Sequence, residues 1–213
     1  MNMKRIWTTF AGLAVLAIAL PAVAETPNIL LAPESSISLV GDSTLHPFSC
    51  KSAGIVLSSA LDPAVVSAAP DIWNAVLQKN ALKQMRLTVP VKTLKSKESA
   101  LDKNMYKALK AESYPDIVFD LKAYEVQPST ITPAAFHIKA SGTLQVSGGQ
   151  QTIELHAEAI PEAAGHADGQ PGLRVQGQYA LMMTDYGVKP PTLLMGTIKV
   201  KNEVIIHFDL YMR

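Results

Sequence analysis

The chain is short of the residues that most often carry chemistry. Of its 213 residues one is cysteine, Cys50. A lone thiol cannot close an internal disulfide, and no C-x-x-C-H haem attachment exists. Cys50 reads as a buried, inert side chain. Charge of either sign is scarce too: 19 basic and 18 acidic residues leave +1. Without a basic field, nucleic acid is excluded as an expected partner. The five histidines, His46, His137, His156, His166 and His207, show no H-x-x-x-H spacing, so no metal site is expected. A phosphate loop, a dinucleotide fingerprint and a G-x-S-x-G nucleophile elbow are all missing, so no catalytic residue is assigned. After residue 24 no apolar run is long enough to span a bilayer.

What is present begins with a leader. Lys4 and Arg5 precede the uncharged, mostly apolar stretch Ala11 to Leu20, and Pro21-Ala22-Val23-Ala24 has the small-residue pattern of a cleavage site. Residues 1–24 therefore read as a secretory signal peptide cut after Ala24, and 25–213 as one domain of 189 residues. The leader holds two basic and no acidic residues, so its removal turns the net charge from +1 to −1. The mature protein is not expected to span a membrane, and a periplasmic location follows from this reading.

The organising stretch is Phe136 to Ala159. Phe136, Ile138, Ala140, Gly142, Leu144 and Val146 alternate with polar residues, Gly148-Gly149 interrupts, and Ile153, Leu155, Ala157 and Ala159 resume the alternation. A period of two around a glycine pair predicts a β-hairpin with one buried face. Similar alternation marks Ser36 to Val40, Ala53 to Ser59, Met85 to Lys92, Ile117 to Ala123, Leu173 to Met183, and Ile198 to Met212 with a turn or bulge at Asn202. Pro90 places the third of these strands at an edge or a bulge. Glu162 to Gly172 and Thr184 to Thr192 read as loops. Leu101, Met105, Ala108 and Leu109 share one face of a helix over about 99–111, opened by a Ser99/Asp102 capping box, and Asp71 caps a shorter helix near 71–79. The fold class is mainly β: a single antiparallel sheet of about eight strands that must close on itself to hide its apolar face. Small inward residues such as Ala123, Ala140, Gly142 and Gly177 leave room for a lumen. A core filled by its own side chains is the alternative.

Several segments carry a resemblance. They are Ser43-Thr44-Leu45-His46, Leu94 through Leu101, Lys110 to Phe119 with Tyr114-Pro115, and Gly142 to Gly148. In order and spacing over the whole mature chain, the protein resembles the YceI-like family of secreted, lipocalin-like lipid-binding proteins. The sequence departs from the commoner pattern in the longer, more helical Asp62 to Asn80, in the Ser-Thr-Leu-His segment, and in Thr184 to Gly187 with Pro190-Pro191.

The resemblance implies an extended eight-stranded barrel whose lumen holds a polyisoprenoid or an isoprenoid quinone-like lipid, with no catalytic role. Strand phase and the resemblance together give the candidate lumen set Leu87, Val89, Phe119, Leu121, Phe136, Ile138, Leu144, Ile153, Leu155, Leu181, Met183, Ile206 and Phe208. Met105 and Leu109 are candidates for closing the barrel from the helix, and His46, Asp185 and Tyr186 for its mouth. A homodimer is compatible with the sequence. Two other readings stand beside the carrier: a filled-core envelope domain that docks partners on the loops at 62–80 or 184–192, and a hydrolase centred on His46.

Overall fold

The computed structural model describes residues 28–163, 171–193 and 196–213. The leader, most of the predicted loop after Glu162, and His166 lie outside the described residues. Ten strands form one antiparallel sheet: β1 (Ser36–Ser43), β2 (Phe48–Ser52), β3 (Val56–Leu61), β4 (Leu82–Pro90), β5 (Asp116–Pro128), β6 (Phe136–Val146), β7 (Gly149–Glu162), β8 (Gly172–Met182), the two-residue β9 (Thr192–Leu193) and β10 (Ile198–Met212). Three helices, α1 (Pro63–Ser67), α2 (Ile72–Lys79) and α3 (Ser99–Ala108), leave the sheet. Strand order is β2-β1-β10-β8-β7-β6-β5-β4-β3, with β9 on β10. The expected count of eight misses β2 and β9, which are too short to show a period.

The sheet curls into a barrel that stays open along one seam. Its end strands β2 and β3 share no ladder among the described residues. Two coil segments fill the seam instead. Lys51 in β2 and Lys95 exchange backbone hydrogen bonds of 2.8 and 2.9 Å, and the Ser52 and Thr93 hydroxyls meet at 2.6 Å. At the other end, Leu30 and Ala32 pair with Arg213 and Tyr211 beyond and within β10, and the Ile29 amide donates to Ser59 Oγ on β3.

The hairpin forms as expected, with its turn one residue earlier. Ser147 and Gly148 take φ of 51° and 83°, the pair of left-handed conformations that suits a two-residue β-turn, and Gly149 already belongs to β7. On β5 the inward phase breaks. Leu121 pairs with Gly142 and Ala123 with Ser141, so Lys122 is bulged. A bulge adds one residue and flips the side chains that follow. Ala123, expected inside, is exposed, and Tyr124 and Val126 take the inward positions. Pro90 is at neither an edge strand nor a bulge. It ends β4 opposite Asp116, past the last β3 pairing at Thr88, where no ladder partner needs its missing N–H. In β10 the register against β1 shifts between Val200 and Val204, at the expected Asn202 irregularity, but the strand runs on without a turn.

The helices close the two ends. Asp71 caps α2 by accepting from the Asn74 amide at 2.8 Å, and Asn80 ends it in a left-handed conformation at φ 52°. Helix α3 lacks the expected capping box. Its N-cap is Glu98, and Asp102 turns back to accept from the Ser96 amide (2.8 Å) and hydroxyl (2.7 Å), fastening the loop before the helix. The helix ends at Ala108 rather than continuing to 111.

Candidate functional site

The inward faces of the strands leave three apolar cavities strung along the barrel axis. The upper one, about 90 Å³, lies under α3, between Leu101, Met105 and Leu109 on the helix and Leu39, Ile117, Leu181 and Ile206 on the wall. The middle one, about 70 Å³, is bounded by Ile37, Leu87, Val89, Leu144 and Phe119 and shares Leu39, Ile117 and Ile206 with the upper. The lower one, about 110 Å³, shares Phe119 with the middle and reaches Leu121, Ile138, Leu155, Phe208 and, on α2, Trp73 and Val76. For scale, an engineered apolar cavity of about 150 Å³ stays dry and admits benzene. At about 3.3 Å per residue and the tilt usual in barrels, the file of cavities is roughly 30 Å long.

The room does not come from the glycines. A Cβ on Gly142 would lie 2.5 Å from the Phe119 ring, and one on Gly177 2.5 Å from the Phe208 ring. Each aromatic lies across its glycine, so the small residues seat rings instead of opening the lumen. Wall residues such as Leu121, Ile138, Leu155, Leu181 and Ile206 line the cavities, and all are only half-buried while packed against the core.

Of the thirteen candidate lumen residues, eleven line one of these three cavities. Phe136 packs against the core without lining one, and Ile153 is buried and faces a separate recess in the wall. Met105 and Leu109 roof the upper cavity, where Met183 and Tyr186 also lie. Asp185 is exposed at the wall recess. His46 is exposed and lines none of the cavities described. Its ring nitrogen meets the Pro47 carbonyl at 2.8 Å, and the Ser43 hydroxyl donates to the His46 backbone carbonyl rather than to the ring, so no Ser–His dyad forms. His137 and His156 stack at 5.3 Å on the outer face, and among the described residues no group of three His, Cys, Asp or Glu side chains is arranged to hold a metal.

Sequence reasoning missed Leu39, Ile117, Tyr124, Trp73 and Val76. Leu39 and Ile117 stood in strands already marked and needed only their phase. Tyr124 was hidden by the bulge. Trp73 and Val76 are on one helical face whose use as a plug is a matter of where α2 docks: the Tyr124 hydroxyl donates to the Val76 carbonyl at 2.8 Å, and Trp73 Nε1 donates to the Pro171 carbonyl at 3.3 Å.

An antiparallel barrel with helix-capped ends and apolar cavities along its axis defines a lipocalin-type fold. The chain belongs to the YceI-like family, whose domain matches residues 64–212. The match begins within α1 and leaves β1–β3 outside, a shorter span than the resemblance over the whole mature chain suggests. Among solved structures, Burkholderia cenocepacia BcnA is 16% identical over 85% of this chain and 98% of its own, with a TM-score of 0.61. A polyisoprenoid binding domain from Saccharophagus degradans, implicated in plant cell wall breakdown, is 11% identical over 89% and 99%, with a TM-score of 0.58. At these identities the likeness is one of fold. No curated protein sequence matches. Among the described residues no helix is long and apolar enough to cross a membrane.

Proposed function

We propose that this protein is a periplasmic, non-catalytic carrier that encloses the apolar tail of one elongated, polyisoprenoid-like amphiphile along its axis. The observation that carries the reading is the row of three adjacent apolar cavities: each shares lining residues with the next, and the lining side chains are almost all apolar. Each buried methylene contributes about 0.8 kcal/mol, so a few branched five-carbon units offset the several kcal/mol lost on association. The polyisoprenoid-binding neighbour of the same fold supports this ligand class. The leader over 1–24 supports export, with the mature chain starting at Glu25. The candidate lumen residues act as a greasy wall rather than as individual ligands, so no single one is indispensable.

Native mass spectrometry of the protein exported and purified from its own host tests the proposal. A bound small molecule that partitions into organic solvent is expected, and the same spectrum gives the subunit number. A single unliganded mass, together with no mass shift on adding a C20 isoprenoid, would remove the carrier reading and leave the filled-core scaffold.

A further inference from the structure

The near-zero net charge of the chain hides a local excess. From Lys92 to Lys110 stand six lysines and two carboxylates, Glu98 and Asp102. Asp102 is buried and turned onto Ser96, while all six lysines are exposed. Helix α3 faces the upper cavity with Leu101, Met105 and Leu109. At about 100° per residue, Lys103 and Lys107 fall opposite Met105, on the side turned to solvent. Lys97, Lys103 and Lys107 have no ion-pair partner among the described residues. Lys95 and Lys110 lie over the Tyr106 and Tyr114 rings at 5.2 and 6.0 Å, and Lys92 alone of the six pairs with a carboxylate, Glu112 at 2.8 Å.

Other segments bring charge and apolar side chains to the same end. Phe48 lines the upper cavity with Leu101 and Met105, which sets the β1–β2 turn beside α3 and leaves its Leu45 64% exposed. Tyr114 is 42% exposed and lies over the β6–β7 turn, where a Cβ on Gly148 would meet its ring at 2.5 Å. The exposed Lys51 is joined to Lys95 by backbone hydrogen bonds, and the exposed Lys199 accepts one from the Thr44 amide at 3.0 Å. At the far end Asp62 and Asp71 cap α1 and α2, and β7 runs out through Glu158 and Glu162. Charge is therefore polarised along the barrel axis.

We propose that the α3 end of the barrel docks on the surface of an anionic phospholipid bilayer. All six basic residues of the segment are lysine. An ammonium is a hydrated point charge, which follows a sheet of phosphates without the rigid fork by which arginine selects one. Each lysine adds attraction that fades within a Debye length of the surface. Leu45 and Tyr114 stand among these lysines, one apolar and one amphipathic, both suited to the head-group layer. Docking sets the α3 roof of the upper cavity against the lipid, so that an apolar tail passes from bilayer to barrel with little exposure to water. That consequence rests on the lumen reading; the docking itself does not.

Co-sedimentation of the exported, purified protein with lipid vesicles tests the docking. Vesicles of phosphatidylcholine mixed with phosphatidylglycerol are expected to carry the protein down at low salt, and vesicles of phosphatidylcholine alone to leave it in solution. Salt at about 1 M, where the Debye length is about 3 Å, should release it. Lys103→Ala with Lys107→Ala should weaken partitioning about 25-fold, at about fivefold for each lysine. Lys79→Ala with Lys83→Ala, at the far end, should leave it unchanged, and Leu45→Ser should weaken it severalfold with the salt dependence intact. Equal binding to both kinds of vesicle, or binding to neither, would overturn the proposal. So would binding to soluble polyglutamate as tight as to the mixed vesicles and indifferent to Leu45→Ser, which would assign the lysines to an acidic protein. Calorimetry with a C20 isoprenoid keeps the two readings apart. The Lys103/Lys107 variant should retain tail binding while losing the vesicles, whereas a native protein that sediments with mixed vesicles but takes up no isoprenoid would remove the lumen reading and uphold the docking.

Discussion

Phe119→Ala is the perturbation most informative about the lumen. Phe119 is 7% exposed, lies over Gly142 and is the one residue shared by the middle and lower cavities. Its ring is therefore both packing and partition. Truncation enlarges the void by roughly 100 Å³; at about 24 cal/mol per Å³ this costs about 2.4 kcal/mol, and the lost transfer free energy of the ring adds about 2 kcal/mol. The neighbours cannot collapse into the gap, because two cavities already flank it. A loss of about 4 kcal/mol follows, which for a domain of this size lowers Tm by about 8–16 °C. Urea titration with matched m-values measures it directly. The variant joins two cavities into one, so a saturating C20 isoprenoid at a hundred times its Kd should restore about 2.7 kcal/mol. A loss under about 1 kcal/mol would show that the ring is not wedged between two voids, and the partitioned-lumen description would be wrong.

Gly142→Ala tests how tightly the aromatic seats. The added Cβ meets the Asp120 carbonyl and the Phe119 ring, both at 2.5 Å, so backbone and ring must shift and about 1–3 kcal/mol of stability should be lost in a thermal melt. An unchanged melting temperature would mean the β5–β6 pair is looser than described. Asp102 predicts a pH effect. Its hydrogen bonds from Ser96 hold the carboxyl below its usual 3.8, so its contribution is complete above that value and disappears as pH falls through the lower folded pKa. Asp102→Asn should be about 1–2 kcal/mol less stable at neutral pH and converge with the native protein in strong acid; parallel pH profiles would refute the role. Cys50 is 1% exposed, and burial, with the nearby Asp102 charge adding to it, pushes its thiol up to about 11. It should resist a thiol reagent at neutral pH until the protein unfolds, and rapid labelling of the native state would contradict its burial.

Much of this architecture was readable before any coordinates. The alternation from Phe136 to Ala159 fixed the inward face of the central hairpin, because a strand has a period of two and only one phase can be buried. Helix α2 was legible from Asp71, and the buried face of α3 from Leu101 and Met105. Less legible was Lys122. A bulge leaves no periodic mark of its own, and the run Leu121-Lys122-Ala123-Tyr124 reads as unbroken alternation until the partner strand shows that the phase has slipped. The glycines misled in a related way. Gly142 and Gly177 look like space in a sequence, but whether a missing side chain leaves a hole depends on the ring that folds over it from a neighbouring strand.

The candidate site divides along the same line. That the interior is greasy was set locally, by which residues fall on alternate positions, and eleven of the thirteen candidates line one of the three apolar cavities. That the interior keeps three cavities, that Phe119 lies between two of them, and that the β7–β8 ladder covers only Ala157 to Glu162 of β7 were decided by tertiary structure. Each of these depends on distances between residues far apart in the chain, such as Gln151 and Asp185 or Leu121 and Gly142. A single strand encodes its own two faces through the pleat. It does not encode the length over which a neighbour will pair with it, because that length is set by the curl of the whole sheet.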